Sequence, residues 1–152
     1  MVCDLSPPGN TTTGKVLEDM VIPALRRGGY QYHTQVPIGT RPSGKPQRVD
    51  LVAEKGGRVI LISMKWQQRD GTAEQKVPYE VICLNLALRT NPGSYAGAYL
   101  VLGGRDKTPG HEGWTLRNFY VSGGLQRYMA NMERITIVSL EDFIAKANAG
   151  DL

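Results

Sequence analysis

The chain has 152 residues, 41% apolar and 21% charged, which is the length of one domain with one core and the composition of an ordinary globular protein. No run approaches the ~20 consecutive apolar residues of a membrane span, and the N-terminus lacks the basic flank and apolar stretch of a secretory signal. A net charge of +4 leans toward polyanionic partners, and Cys3 and Cys83 have no zinc-type spacing, so a cytoplasmic chain without a disulfide is expected.

Residues 1–12 read as an irregular lead, and any of Asn10 to Thr13 can cap the first helix. That helix is predicted over 13–27, with Val21, Ile22 and Leu25 as its stripe, Pro23 as a kink and Gly28-Gly29 as its stop. YQYHTQV (30–36) reads as a strand and PIGTRPSGKP (37–46) as a Pro/Gly loop carrying Arg41 and Lys45. RVDLVAE (48–54), a turn at 55–57 and RVILISMKW (58–66) complete an antiparallel meander in which Asp50 falls opposite Ser63. A polar loop over 67–72 leads to a helix over 73–90 with Val77, Val81, Leu84 and Leu88 inward. GAYLVLGG (97–104) is a buried strand, 105–114 a basic loop, 115–132 a broken helix, 133–140 a strand, and SLEDFIAKANAG a C-terminal helix capped by Ser139. The order is α-β-β-β-α-β-α-β-α.

Charged residues on apolar faces are the informative feature. On a helix Glu18 lies below Val21, Ile22 and Leu25, so it either shares the buried stripe or turns outward to pair with Arg41 or Arg48. Asp50 shares a strand face with Val52, and Lys65 shares one with Ser63, Leu61 and Val59, which permits either a cross-strand ion pair or a site. Two carboxylates beside a lysine are what metal-assisted phosphodiester hydrolysis requires: hard oxygens for Mg²⁺, and an ammonium to orient water or offset charge on phosphorus.

The order helix-Glu, strand, Asp50, turn, apolar strand ending in Lys65, then helix resembles the PD-(D/E)XK nuclease superfamily over 13–104. The resemblance implies an α/β (α+β) restriction-endonuclease-like fold, a central mixed sheet of about five strands flanked by helices, in a single nuclease-like domain over 13–152. It matches Asp50 to the family's first acid, Lys65 to its lysine, Glu18 to an acid of the first helix and Gln67 to the polar residue after the lysine. Ser63 departs from the pattern, since the family usually places an acid there. Ser63-Met64-Lys65 is similar to a subgroup whose second acid has moved to the next helix, and Glu80 is the expected migrant, against Glu18 completing the site alone. Asp50, Glu80, Glu18 and the Met64 carbonyl are then the implied Mg²⁺ ligands, with Mn²⁺ able to substitute. Double-stranded DNA is the implied substrate, met by Arg41, Lys45, Arg48, Gln68, Arg69 and Lys76, in a restriction, homing or junction-resolving enzyme working as a homodimer or homotetramer. An inactive nuclease-fold module that binds DNA or protein, with Ser63 as its scar, and an RNA-directed nuclease are the competing readings.

Overall fold

A computed structural model describes residues 13–152; the irregular lead expected over 1–12, its capping residues 10–12 and Cys3 lie outside the described residues. Helix α1 runs over 13–27 and contains a π-helical turn at Leu17–Val21 followed by an α-helical segment at Ile22–Arg27. Pro23 accounts for that turn. With no N–H, it cannot bond four residues back, and its ring crowds that carbonyl, so the backbone widens: the Ile22 N–H reaches Leu17 O instead.

The meander follows as β1 (Gln31–Thr40), β2 (Pro46–Lys55) and β3 (Arg58–Gln67). Gly56 and Gly57, both at positive φ, make the two-residue turn between β2 and β3, and Leu51 faces Ile62, the register expected from sequence. The expected loop at 37–46 is shorter than predicted. β1 continues through Pro37 to Thr40, because Pro is tolerated on a strand with one free edge and a register shift between Pro37 and Gly39 absorbs the misfit. Only 41–45 remains as the turn.

Helix α2 (Ala73–Thr90) crosses back to β4 (Gly97–Gly104), which pairs parallel with β3. A short helix α3 (Arg117–Val121) and a 3-10 turn (Gly124–Arg127) form the expected broken helix, and β5 (Ile135–Ser139) pairs parallel with β4. Helix α4 (Leu140–Ala149) starts at Ser139, whose hydroxyl accepts the Asp142 N–H at 3.2 Å.

The result is one mixed sheet in the order β1-β2-β3-β4-β5. Strand alternation gives it two apolar faces. Leu51, Ile60, Ile62 and Val101 pack with α1 and α4, while Val52, Leu61, Leu100 and Leu102 pack with Val77, Val81, Leu84 and Leu88 of α2. No helix of the described residues is long and apolar enough to cross a membrane.

Candidate active site

The β2–β3 pairing runs from Lys55–Arg58 to Leu51–Ile62, and Asp50 is the next residue on β2. Its Oδ2 accepts the Met64 N–H at 2.8 Å, so a carboxylate replaces a ladder carbonyl where the strands part. Across this point lies α2. Glu80, buried at 5% exposure, points from α2 toward β3: its Oε1 accepts the Ser63 hydroxyl at 3.1 Å and its Oε2 lies 3.5 Å from Lys65 Nζ. Glu80 is on the inward face because it is three residues after Val77 and four before Leu84, both fully buried.

Asp50, Ser63, Met64, Lys65 and Glu80 all line one cleft of about 380 Å³. Burial is the main cause holding the Asp50 carboxyl above its ordinary range. The Met64 N–H and the Lys65 charge oppose that shift, the Glu80 charge adds to it, and a hydrogen bond with the Gln35 side chain opposes it. A half-buried, incompletely compensated carboxylate near a buried second one is a place where a cation lowers the energy.

The donor set suits a hard cation. Asp50, Glu80 and the Met64 carbonyl offer oxygen only, as Mg²⁺ prefers over softer ligands. Among the described residues no group of three or more His, Cys, Asp or Glu comes together to hold a metal. A cation here would therefore take two protein carboxylates and complete its sphere with water and substrate oxygens, the usual manner of Mg²⁺.

Arg41, Arg48 and Lys76 also line the cleft, giving it a basic rim. Arg48 Nη1 donates to Gln35 O at 2.8 Å, which fixes its side chain against β1. Thr13, Trp66, Thr72 and Ala73 line it as well; of these only Thr13 had no place in the sequence reading of the site, which offered Trp66 as a base-stacking ring and the turn at 71–76 as a phosphate contact.

Several sequence expectations are placed elsewhere. Glu18 is exposed and is not among the residues lining the cleft. The buried stripe of α1 runs through Leu17, Val21, Ala24 and Leu25, and position 18, roughly 100° round from Leu17, turns away from it. Gln67 is buried at 4% exposure, and its amide is spent on structure: it donates to Gly113 O at 3.2 Å and accepts the Glu74 N–H at 3.1 Å. It fastens the start of α2 to the 105–117 loop and does not line the cleft. Lys45, Gln68 and Arg69 are exposed and also outside the cleft lining. Lys65 pairs with Glu80, where the register alone favoured a diagonal contact with Asp50. Of the two tryptophans, Trp114 is buried and donates to Gly103 O at 2.6 Å.

The Gln35 contact to Asp50 was missed because a ten-residue loop over 37–46 leaves the register between the first two strands of the meander unset. The signal was there: with β1 extended, Thr34 faces Leu51 and Val36 faces Val49, which puts Gln35, at φ 51°, beside Asp50.

Comparison with known proteins gives one family-level match: a model described as a PD-(D/E)XK nuclease superfamily domain covers residues 9–150. No curated protein matches the sequence. Two solved structures are similar in shape. One is a protein of unknown function, AF1548, at 12% identity and TM-score 0.43, over 78% of this chain; this chain spans only 54% of that one. The other is the small subunit of the heterodimeric restriction endonuclease R.BspD6I, at 17% identity and TM-score 0.42, over 94% of this chain and 69% of that one.

Proposed function

Because the chain belongs to the PD-(D/E)XK nuclease superfamily and has its restriction-endonuclease-like fold, we propose that it is a Mg²⁺-dependent endonuclease hydrolysing DNA phosphodiester bonds. The observation that carries this reading is the convergence of Asp50, Glu80 and Lys65 in one cleft with a basic rim.

Asp50 and Glu80 would hold the cation, with the Met64 carbonyl as a further ligand. Bound there, it would supply Lewis-acid polarisation of the phosphate and a lower pKa for an attacking water. The chain's own groups do the rest. The Met64 N–H and the Ser63 hydroxyl keep the two carboxylates aimed into the cleft. Lys65, 26% exposed and facing the cleft, donates to a non-bridging phosphate oxygen and offsets the charge that builds there. Arg41, Arg48 and Lys76 draw the polyanion in and hold its backbone in register. Ser63, which stands where the family usually has an acid, serves here as the hydrogen-bond partner of the relocated Glu80.

The test incubates the protein with supercoiled plasmid, duplex oligonucleotides, four-way junctions and RNA, in Mg²⁺ and in EDTA. Cleavage of DNA is expected in Mg²⁺ alone, and Asp50→Ala, Glu80→Ala and Lys65→Ala should each lower the rate by about 100-fold or more. Undiminished cleavage by Lys65→Ala overturns the assignment. Metal-dependent binding without cleavage supports the non-catalytic module instead.

A further inference from the structure

The outward face of α2 carries a stripe that the proposed chemistry does not use. Lys76, Tyr79, Ile82 and Arg89 are exposed on it at helical spacing, with Leu86 half-buried between the last two. Tyr79 is 43% and Ile82 44% exposed, unusual for large apolar side chains on a helix whose other face is fully packed. Lys76, at one end, lines the active cleft; Arg89, at the other, lines a second cavity of about 570 Å³ with Ile82 and Leu86.

Arg41 lines both cavities. Its guanidinium lies 6.0 Å from the Tyr79 ring centroid and donates to Cys83 Sγ at 3.9 Å, so it stands on the ridge between them. Among the described residues no carboxylate forms an ion pair with Arg41, Lys76 or Arg89, and none lines the second cavity. The two cavities thus make one cationic path with an aromatic and an aliphatic side chain along its middle.

We infer that this path is the track of the substrate strand that continues past the scissile phosphate, with Arg41 and Arg89 on its phosphates and Tyr79 and Ile82 against its sugars or bases. The inference rests on the nuclease reading and extends it. Unpaired cations at intervals match a polyanion, and the path is continuous with the cleft through Arg41; a protein partner for the same face would have to bring its own carboxylates to three separate points. From Lys76 to Arg89 the helix rises about 20 Å, which spans roughly six nucleotides of a strand at about 3.4 Å each. The substrate must therefore extend on one side of the cut by about that much.

The test uses the full chain carrying Asp50→Asn to block cleavage, with fluorescein-labelled DNA whose flank on one side is either about eight or about two nucleotides long, in single- and double-stranded forms. Arg89→Ala in that background should bind the long-flank DNA on the order of fivefold more weakly, with the slope of log Kd against log salt reduced by about one, and should bind the short-flank DNA as before. Ile82→Asp should weaken long-flank binding further, since it plants a negative charge on the path. The single- and double-stranded arms show which form of strand the track takes. Equal affinities for both flank lengths, or an unchanged salt slope in Arg89→Ala, overturn the inference. So does an Ile82→Asp chain that binds DNA normally but sediments as a smaller species, which makes the face a protein interface. A wild-type chain that cleaves without flank dependence sinks the track and leaves the nuclease reading standing; one that binds no nucleic acid sinks both.

Discussion

Asp50 is a carboxylate kept where its charge is poorly solvated, and that sets the sign of its contribution to stability. Its folded pKa is raised, chiefly by burial, so the ionised form is disfavoured by folding. Its contribution is favourable when both folded and unfolded forms are protonated, below the ordinary carboxyl value of 3.8, and is lost as pH rises through the folded pKa. At neutral pH the residue is therefore a stability liability that the site tolerates. Asp50→Asn should abolish cleavage yet stabilise the metal-free protein at pH 7, by about 1 kcal/mol in denaturant melts, with the gain shrinking as pH falls and the wild-type carboxyl takes up its proton. A less stable variant at pH 7 would mean that the bonds from Met64 and Gln35 outweigh burial. The same shift bears on activity. A proton on Asp50 competes with the cation, so the acidic limb of the pH–rate profile should lie above the ordinary carboxyl range and move to lower pH as Mg²⁺ is raised. A limb that ignores Mg²⁺ would separate Asp50 from metal binding.

At the scale of elements, one wall of the cleft is the α2 N-terminus, and it is fastened to the loop after β4. Glu74, in the first turn of α2, accepts the Thr115 N–H at 2.8 Å, the Thr115 hydroxyl at 2.5 Å and the Leu116 N–H at 3.1 Å, while the Tyr120 hydroxyl donates to its carbonyl at 2.6 Å. Gln67 ties the same turn to Gly113 from the β3 side. Glu74→Ala should cost about 1–2 kcal/mol in denaturant melts and lower kcat, because Thr72 and Ala73 of this turn line the cleft; Glu74→Gln, which keeps one acceptor oxygen, should lose less. Identical melts for wild type and Glu74→Ala would show the fastening to be redundant. None of this network was legible in the sequence, since it joins residues more than 40 positions apart through a loop with no periodicity of its own. The parts that were legible depend on short-range rules. Strand alternation put Asp50, Ser63 and Lys65 on one face, the Gly-Gly turn fixed their register, and helical spacing turned Glu80 inward. Where a short-range rule had a local exception, the reading slipped. Pro37 and Gly39 looked like the end of β1 and are a bulge within it, and Glu18 looked like part of a stripe whose centre runs through Leu17 and Val21.

At the scale of the whole molecule, the described residues hold one Asp–Glu–Lys cluster on one side of one sheet, and on the proposed reading that cluster presents one reacting centre to one strand at a time. Cutting both strands of a duplex needs a second centre facing the antiparallel strand, and a two-fold related second copy is the natural way to supply it. A homodimer is accordingly proposed for double-strand cleavage, with the monomer competent for nicking. On supercoiled plasmid the open-circular form should therefore appear first at low protein concentration. The linear form should lag, and its initial rate should rise more steeply than in proportion to protein, while the nicking rate rises in proportion. Sedimentation at the same concentrations should show the dimer emerging over the range in which linear product appears. Direct conversion to linear plasmid at concentrations where only monomer sediments would show that one chain cuts both strands in turn without dissociating, and the dimer would then have no part in the chemistry.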